Sequence, residues 1–228
     1  MYAVWKDVTA PTLSITITAE GNEVYATVKA SDNHAIKSIT TTGLANTSTS
    51  TDSLKTLITG TGDCLVTVTD LAGNQSKKTI KLYMIYKPYE KYISNTGGWN
   101  QNYFKGSYGN ISNIHYEESN GCLCIGATPI AGWGRLGSYY TNNKLPVNEY
   151  DTLLVSTYKR AEGSTEGTTT NVWLDGSQVS SSTLSDFYTH KIDLTSQTTS
   201  KVLAIGCNGN PETNINMYFY MAYMYKII

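Results

Sequence analysis

Charge is scarce in this chain. Asp, Glu, Lys and Arg make up 15% of its 228 residues, against about 25% in an average globular domain. The two signs nearly cancel, leaving a net charge of −1, so the balance draws the chain neither to nucleic acid nor to anionic lipid. No apolar run approaches the ~20 residues of a membrane-spanning helix. No basic and then apolar leader precedes Tyr2-Ala3-Val4-Trp5. Only four cysteines occur. Cys122 and Cys124 stand two residues apart, side by side on one face of a strand and poorly placed to bridge each other. Buried free thiols are the reading, and a cross-strand Cys124–Cys207 bridge is the alternative that spacing leaves open. There is no Cys-x-x-Cys, phosphate loop, zinc spacing or Gly-x-Ser-x-Gly. His34, His115 and His190 lie far apart in sequence. The carboxylates after residue 92 are scattered through turn-like contexts, without the converging pair that acid–base chemistry needs. These absences predict no enzyme, no closed metal site and no membrane insertion.

Neutral hydroxyls, amides and tyrosine fill the space; tyrosine alone occurs 18 times. Leu13, Ile15 and Ile17 alternate with Ser14, Thr16 and Thr18, and Val24, Ala26 and Val28 with Tyr25, Thr27 and Lys29. A period of two predicts strands with one buried face. Gly21-Asn22 reads as the turn between them, and Thr40 to Thr51 as loop or edge strand. Thr67-Val68-Thr69 enters Asp70-Leu71-Ala72-Gly73-Asn74, and Ser76 to Leu82 leaves it, the signature of a hairpin. Farther on, strands are expected at 122–125, 135–140, 152–158, 172–174, 188–194, 201–207 and 216–227. No segment sustains a helical period. Tyr83 to Tyr92, broken by Pro88, reads as a connection between two modules.

Two resemblances follow from these residues. The Asp70-Leu71-Ala72-Gly73-Asn74 hairpin, with the loop at Ala30-Ser31-Asp32-Asn33, resembles bacterial immunoglobulin-like surface modules. The order of Tyr139-Tyr140, Leu153-Leu154-Val155, Lys191-Ile192-Asp193-Leu194, Ala204-Ile205-Gly206 and Tyr223-Met224-Tyr225 resembles a carbohydrate-binding-module-type, galactose-binding-like jelly roll. Tyr2-Ala3-Val4-Trp5 is similar to the end of a Listeria–Bacteroides-type surface repeat. The fold these imply is all-β: residues 1–6 as a remnant of an upstream repeat or tag, 7–84 as a small immunoglobulin-like β-sandwich spacer, 85–91 as linker and 92–228 as a jelly-roll β-sandwich.

The implied function is non-catalytic adhesion or carbohydrate binding within a large modular bacterial cell-surface or secreted protein, with a glycan or cell-surface polysaccharide as partner. The alternative is an architectural or host-recognition segment of a phage tail. The expected binding residues are Trp133 and Arg135 in a Gly-flanked loop, then Trp99, Asn100 and Tyr103 in a second Gly-rich stretch. Sugar recognition sets an aromatic face against the C–H face of the ring, while amides or a guanidinium take the hydroxyls. Trp173, in a regular strand, reads as core. No cofactor is expected. A structural calcium ion is the one exception the jelly-roll resemblance leaves open, with Glu117, Glu118, Asn120 and Asp186 as donors and plain surface loops as the competing reading. Oligomeric state is not legible.

Overall fold

The computed structural model describes residues 6–20, 23–86, 104–105, 111–117, 122–127, 134–141, 143–162, 169–183, 187–209 and 214–228. The Gly21-Asn22 turn lies outside them. The protein is all-β, built of antiparallel sheets in β-sandwiches, as the alternation implied. It divides into two compact units. The first is Met1–Met84 with Tyr225–Ile228, and the second is Ile85–Met224.

Seven strands build the first unit: β1 (Thr12–Glu20), β2 (Glu23–Ser31), β3 (Ile36–Gly43), β4 (Thr47–Thr49), β5 (Ser53–Ile58), β6 (Gly62–Asp70) and β7 (Gln75–Tyr86). One sheet runs β1-β2-β5; the other includes β4-β3-β6-β7. The pleat turns alternate residues inward, so Val24, Ala26 and Val28 are buried from the first sheet. Ile39, Cys64, Val66, Val68, Ile80 and Leu82 are buried from the second. The threonine-rich stretch supplies β4, a three-residue edge strand. β7 continues to Tyr86, so the start of the expected linker is strand. Ile85, 3% exposed, is buried out of step with Ile80 and Leu82, on the other face of the strand.

The Asp70–Asn74 hairpin is also a clasp. Asn74 donates its backbone N–H to Asp70 Oδ1 at 2.8 Å and its Nδ2 to Asp70 Oδ2 at 2.8 Å. The same Nδ2 reaches the carbonyls of Thr9 (3.0 Å) and Asp7 (3.3 Å), tying the incoming segment to the turn. Burial alone would raise the pKa of the Asp70 carboxyl. The Asn74 side chain and the backbone N–H groups of Asn74, Gly73 and Ala72 outweigh it, and the pKa falls below the ordinary carboxylate value. Asp70 therefore stays ionised although it has no exposed surface. At the C-terminal end, Ile228 exchanges two backbone hydrogen bonds with Thr79, at 2.8 and 2.9 Å.

The second unit contributes β8 (Phe104–Lys105), β9 (Ile111–Glu117), β10 (Cys122–Ala127), β11 (Gly134–Thr141), β12 (Thr152–Glu162), β13 (Thr169–Leu174), β14 (Ser177–Ser182), β15 (Phe187–Asp193), β16 (Leu203–Gly209) and β17 (Asn214–Ile227). One sheet follows the order β14-β13-β16-β11-β8. In the other, β12 lies between β15 and β17, and β10 pairs with both β17 and β9. A short 3-10 helix (Val147–Glu149) leads into β12. Along β17, Met217, Tyr218, Phe219, Met221, Ala222, Tyr223 and Met224 are all buried. A strand covered on both faces loses the alternating pattern and reads as a continuous apolar run.

Two glycines of the first unit carry similar backbone angles for different reasons. Gly43 (φ +95°) backs onto the Asp63 carbonyl, which a Cβ would strike, whereas Gly73 (φ +94°) has open space where its Cβ would sit. Gly73→Ala meets only the left-handed backbone cost of about 1–2 kcal/mol. Gly43→Ala adds a backbone collision, for a loss of about 2–5 kcal/mol. Urea titration of the two variants should rank them in that order; equal losses would mean that the Asp63 contact costs nothing.

Candidate functional site

The site is best built from β13. Asp175 (φ +47°) and Gly176 (φ +83°) form a two-residue turn that folds β14 back on β13, because an Asp-Gly pair accepts the left-handed angles such a turn needs. On its other edge β13 pairs with β16. Thr169 stands opposite Asn208, Asn171 opposite Gly206, and Trp173 opposite Ala204. β11 flanks β16 in turn, with Arg135 opposite Asn208, Ser138 opposite Gly206, and Tyr140 opposite Ala204.

Successive residues of β13 face opposite ways. Thr170 and Val172 face the second sheet of the unit, since Thr170 Oγ1 meets the imidazole of His190 on β15, 3.2 Å from Nε2. Thr157 Oγ1 lies 3.3 Å from the same nitrogen, and Ser180 Oγ lies 2.8 Å from Nδ1. Tyr188 packs its ring against the imidazole in a T-shaped contact at 4.8 Å. His190 has no exposed surface. Burial holds its pKa down to about 4, so it is neutral around pH 7. This neutral, hydroxyl-satisfied ring is a structural histidine, not a base waiting for substrate.

Asn171 and Trp173 occupy the opposite face. Asn171 is 1% exposed and Trp173 3%. The Asn171 amide donates through Nδ2 to Thr169 Oγ1 (2.7 Å) and to the Thr169 carbonyl (3.0 Å). Its Oδ1 is buried without a donor, and so is Oδ1 of Asn208, two rungs along the same face. Gly206 and Ala204 leave little side-chain bulk between β13 and β11. The face thus offers one large aromatic, two amide carbonyls short of a donor and a floor of small residues.

Of the sequence-predicted site, Trp133, Trp99, Asn100 and Tyr103 lie outside the described residues, as do Glu118, Asn120 and Asp186. Arg135 falls in β11, on the Asn208 rung. Trp173 is buried, as expected of it. Asn171 and Asn208 escaped sequence reasoning because an isolated asparagine in a strand carries no periodic signal. Among the described residues, no helix is long and apolar enough to cross a membrane.

His190 sets a pH dependence. Its folded pKa of about 4 lies below the ordinary ~6.5, so the unfolded chain takes up the proton first as pH falls. Its contribution to stability is whole above ~6.5 and disappears between there and ~4. Single-proton linkage gives a loss of about 2 kcal/mol for the second unit from pH 7 to pH 5. Denaturant midpoints that stay level over that interval would show His190 to be protonated in the fold.

No family model matches the chain, and no curated protein sequence does. Several solved structures are weakly similar to it. A mutant of CBM29-2, a family 29 carbohydrate-binding module, is 13% identical, with a TM-score of 0.42, over 64% of this chain and 85% of that one. SGBP-B from a xyloglucan utilization locus in Bacteroides uniformis is 16% identical, with a TM-score of 0.41, over 96% of this chain and 73% of that one. SGBP-B from the mixed-linkage glucan utilization locus of Bacteroides ovatus, in complex with a heptasaccharide, is 12% identical, with a TM-score of 0.31, over 89% of this chain and 49% of that one. Scores this low assign no residue of this chain a role.

Proposed function

We propose that this chain is a non-catalytic glycan-binding segment of an extracellular or cell-surface protein, with the first unit as an immunoglobulin-like spacer and the second as the binding module. One observation carries the reading. The Asn171 and Asn208 carbonyl oxygens are buried without donors on the face that also holds Trp173. A buried acceptor left unpaired costs about 1–3 kcal/mol. A sugar hydroxyl is a donor of the right size, whereas Trp173, only 3% exposed, is core and not a stacking surface. The near-neutral, charge-poor composition fits a neutral polysaccharide better than a charged ligand. Arg135, on the Asn208 rung of β11 and β16, is proposed as the guanidinium donor to sugar hydroxyls. Trp133, two residues before it in sequence, is proposed as the stacking ring, and Trp99, Asn100 and Tyr103 as a second contact. The role assigned to Asn208 separates this reading from a purely architectural one, in which the amides only fill space.

A panel of neutral polysaccharides screened against the full chain tests it. At least one should bind. Asn208→Ala and Trp133→Ala should each weaken that binding by about 1–3 kcal/mol with thermal midpoints little changed. Failure of every polysaccharide to bind favours the architectural role, such as a phage-tail segment. Binding unaffected by either substitution moves the site off this face.

A further inference from the structure

The geometry points to a calcium site in the first unit, held by Asp7, Asp32 and Asp70. It is independent of the glycan reading, which concerns the other unit. The three carboxylates come from distant parts of the chain: the incoming segment, the loop after β2 and the end of β6. One oxygen from each lies within 4.8 Å of the others. Oxygens about 2.4 Å from a calcium ion are at most ~4.8 Å apart, the separation of two ligands on opposite sides of it. Three oxygens held within that limit are within a few tenths of an ångström, at most, of sharing one coordination sphere.

Three clustered carboxylates alone would be unremarkable at a surface, but two of these carry buried oxygens that accept no hydrogen bond. The Asp7 side chain is only 3% exposed. Its Oδ1 accepts from the Thr9 N–H at 3.0 Å and from Asn33 Nδ2 at 3.5 Å, while Oδ2 is buried with no hydrogen bond. Asp32 repeats the pattern: Oδ2 accepts from the His34 N–H at 3.4 Å, and Oδ1 is buried and unpaired. Asp70 brings the third carboxylate to the cluster and has no exposed surface. Unpaired carboxylate oxygens brought together out of water repel one another and forfeit hydration. A hard cation removes both penalties.

One imidazole approaches the cluster: His34 Nδ1 is 3.2 Å from Asp7 Oδ2. That ring is more than half exposed. It offers one nitrogen to one oxygen and leaves Asp32 Oδ1 without a partner. Calcium suits the donor set better than magnesium. It takes six to eight oxygens in irregular arrangements, whereas magnesium demands near-octahedral geometry and keeps most of its water. Asp32 also lines an open hollow of about 340 Å³ with Ala30, Ser31, Ala35, Ile36 and Asp52, so water can reach that ligand and complete the sphere. Because Asp7 belongs to the incoming segment that Asn74 clasps, a bound ion would fasten that segment to both loops at once.

Equilibrium dialysis of the full chain against calcium chloride, after EDTA treatment, tests the site. One equivalent should bind, and the first unit's melting midpoint should rise by about 10 °C or more at a hundredfold excess over Kd. Asp7→Asn and Asp32→Asn should each lower the affinity at least tenfold, yet melt no lower than the parent chain in EDTA, because each relieves repulsion there. Asp52→Asn, on the hollow but outside the cluster, should leave the affinity unchanged. The proposal is overturned if the unsubstituted chain binds no stoichiometric calcium, if magnesium binds more tightly, or if both cluster variants retain full affinity.

Discussion

Two packed sheets must answer every polar group trapped between them, and among the described residues of the second unit the imidazole of His190 meets that constraint with the most partners. His190 projects from β15 and meets Thr157 on its neighbour β12. It also meets Thr170 and Ser180, on β13 and β14 of the facing sheet. Apolar side chains such as Val155, Val172 and Ile205 supply burial without direction. The imidazole supplies direction, because its two nitrogens sit in fixed positions and each must find a partner. A one-residue slip of β13 would turn Thr170 to the far face and bring Asn171 inward. The placing of Asn171 and Trp173 on the outer face thus depends on a contact made on the inner one.

The first unit solves a similar problem at its end. Asp70 and Asn74 satisfy each other and capture the chain where it enters at Asp7 and Thr9. The Asp-x-Ala-Gly-Asn turn is thereby explained without reference to any relative. Asp provides two acceptors, Gly73 the left-handed angle, and Asn the amide that spans turn and incoming strand.

How much of this was legible in the sequence varies from element to element. Val24, Ala26 and Val28 announce β2 because small and β-branched residues recur at every second position. The Asp70–Asn74 turn is equally plain. β5 is not legible, because Thr56 points inward and Leu57 is 38% exposed, so the apolar pattern misstates the faces. β14 is almost entirely serine and glutamine; its existence rests on the Asp175-Gly176 turn and on pairing with β13. Of the expected binding residues only Arg135 is among the described ones, on the Asn208 rung. Asn171 and Asn208 come together through a β13–β16 register that no local pattern encodes. The Asp7–Asp32–Asp70 cluster is still less visible, since its members are separated by whole strands. Sequence shows local period and turn chemistry, whereas both candidate sites are products of long-range pairing.

The return of Tyr225–Ile228 to the first unit has a kinetic meaning. Thr79 waits for Ile228 to complete its backbone hydrogen bonds, and the whole of Ile85–Met224 must be made in between. At 5–20 residues per second, a ribosome needs on the order of 10 s for that stretch. During that interval Thr79 on the emerging β7 has its N–H and C=O open to any extended segment that arrives first. The native partner is made only after the whole of the second unit, so the first unit is the earlier to be begun and the later to be finished.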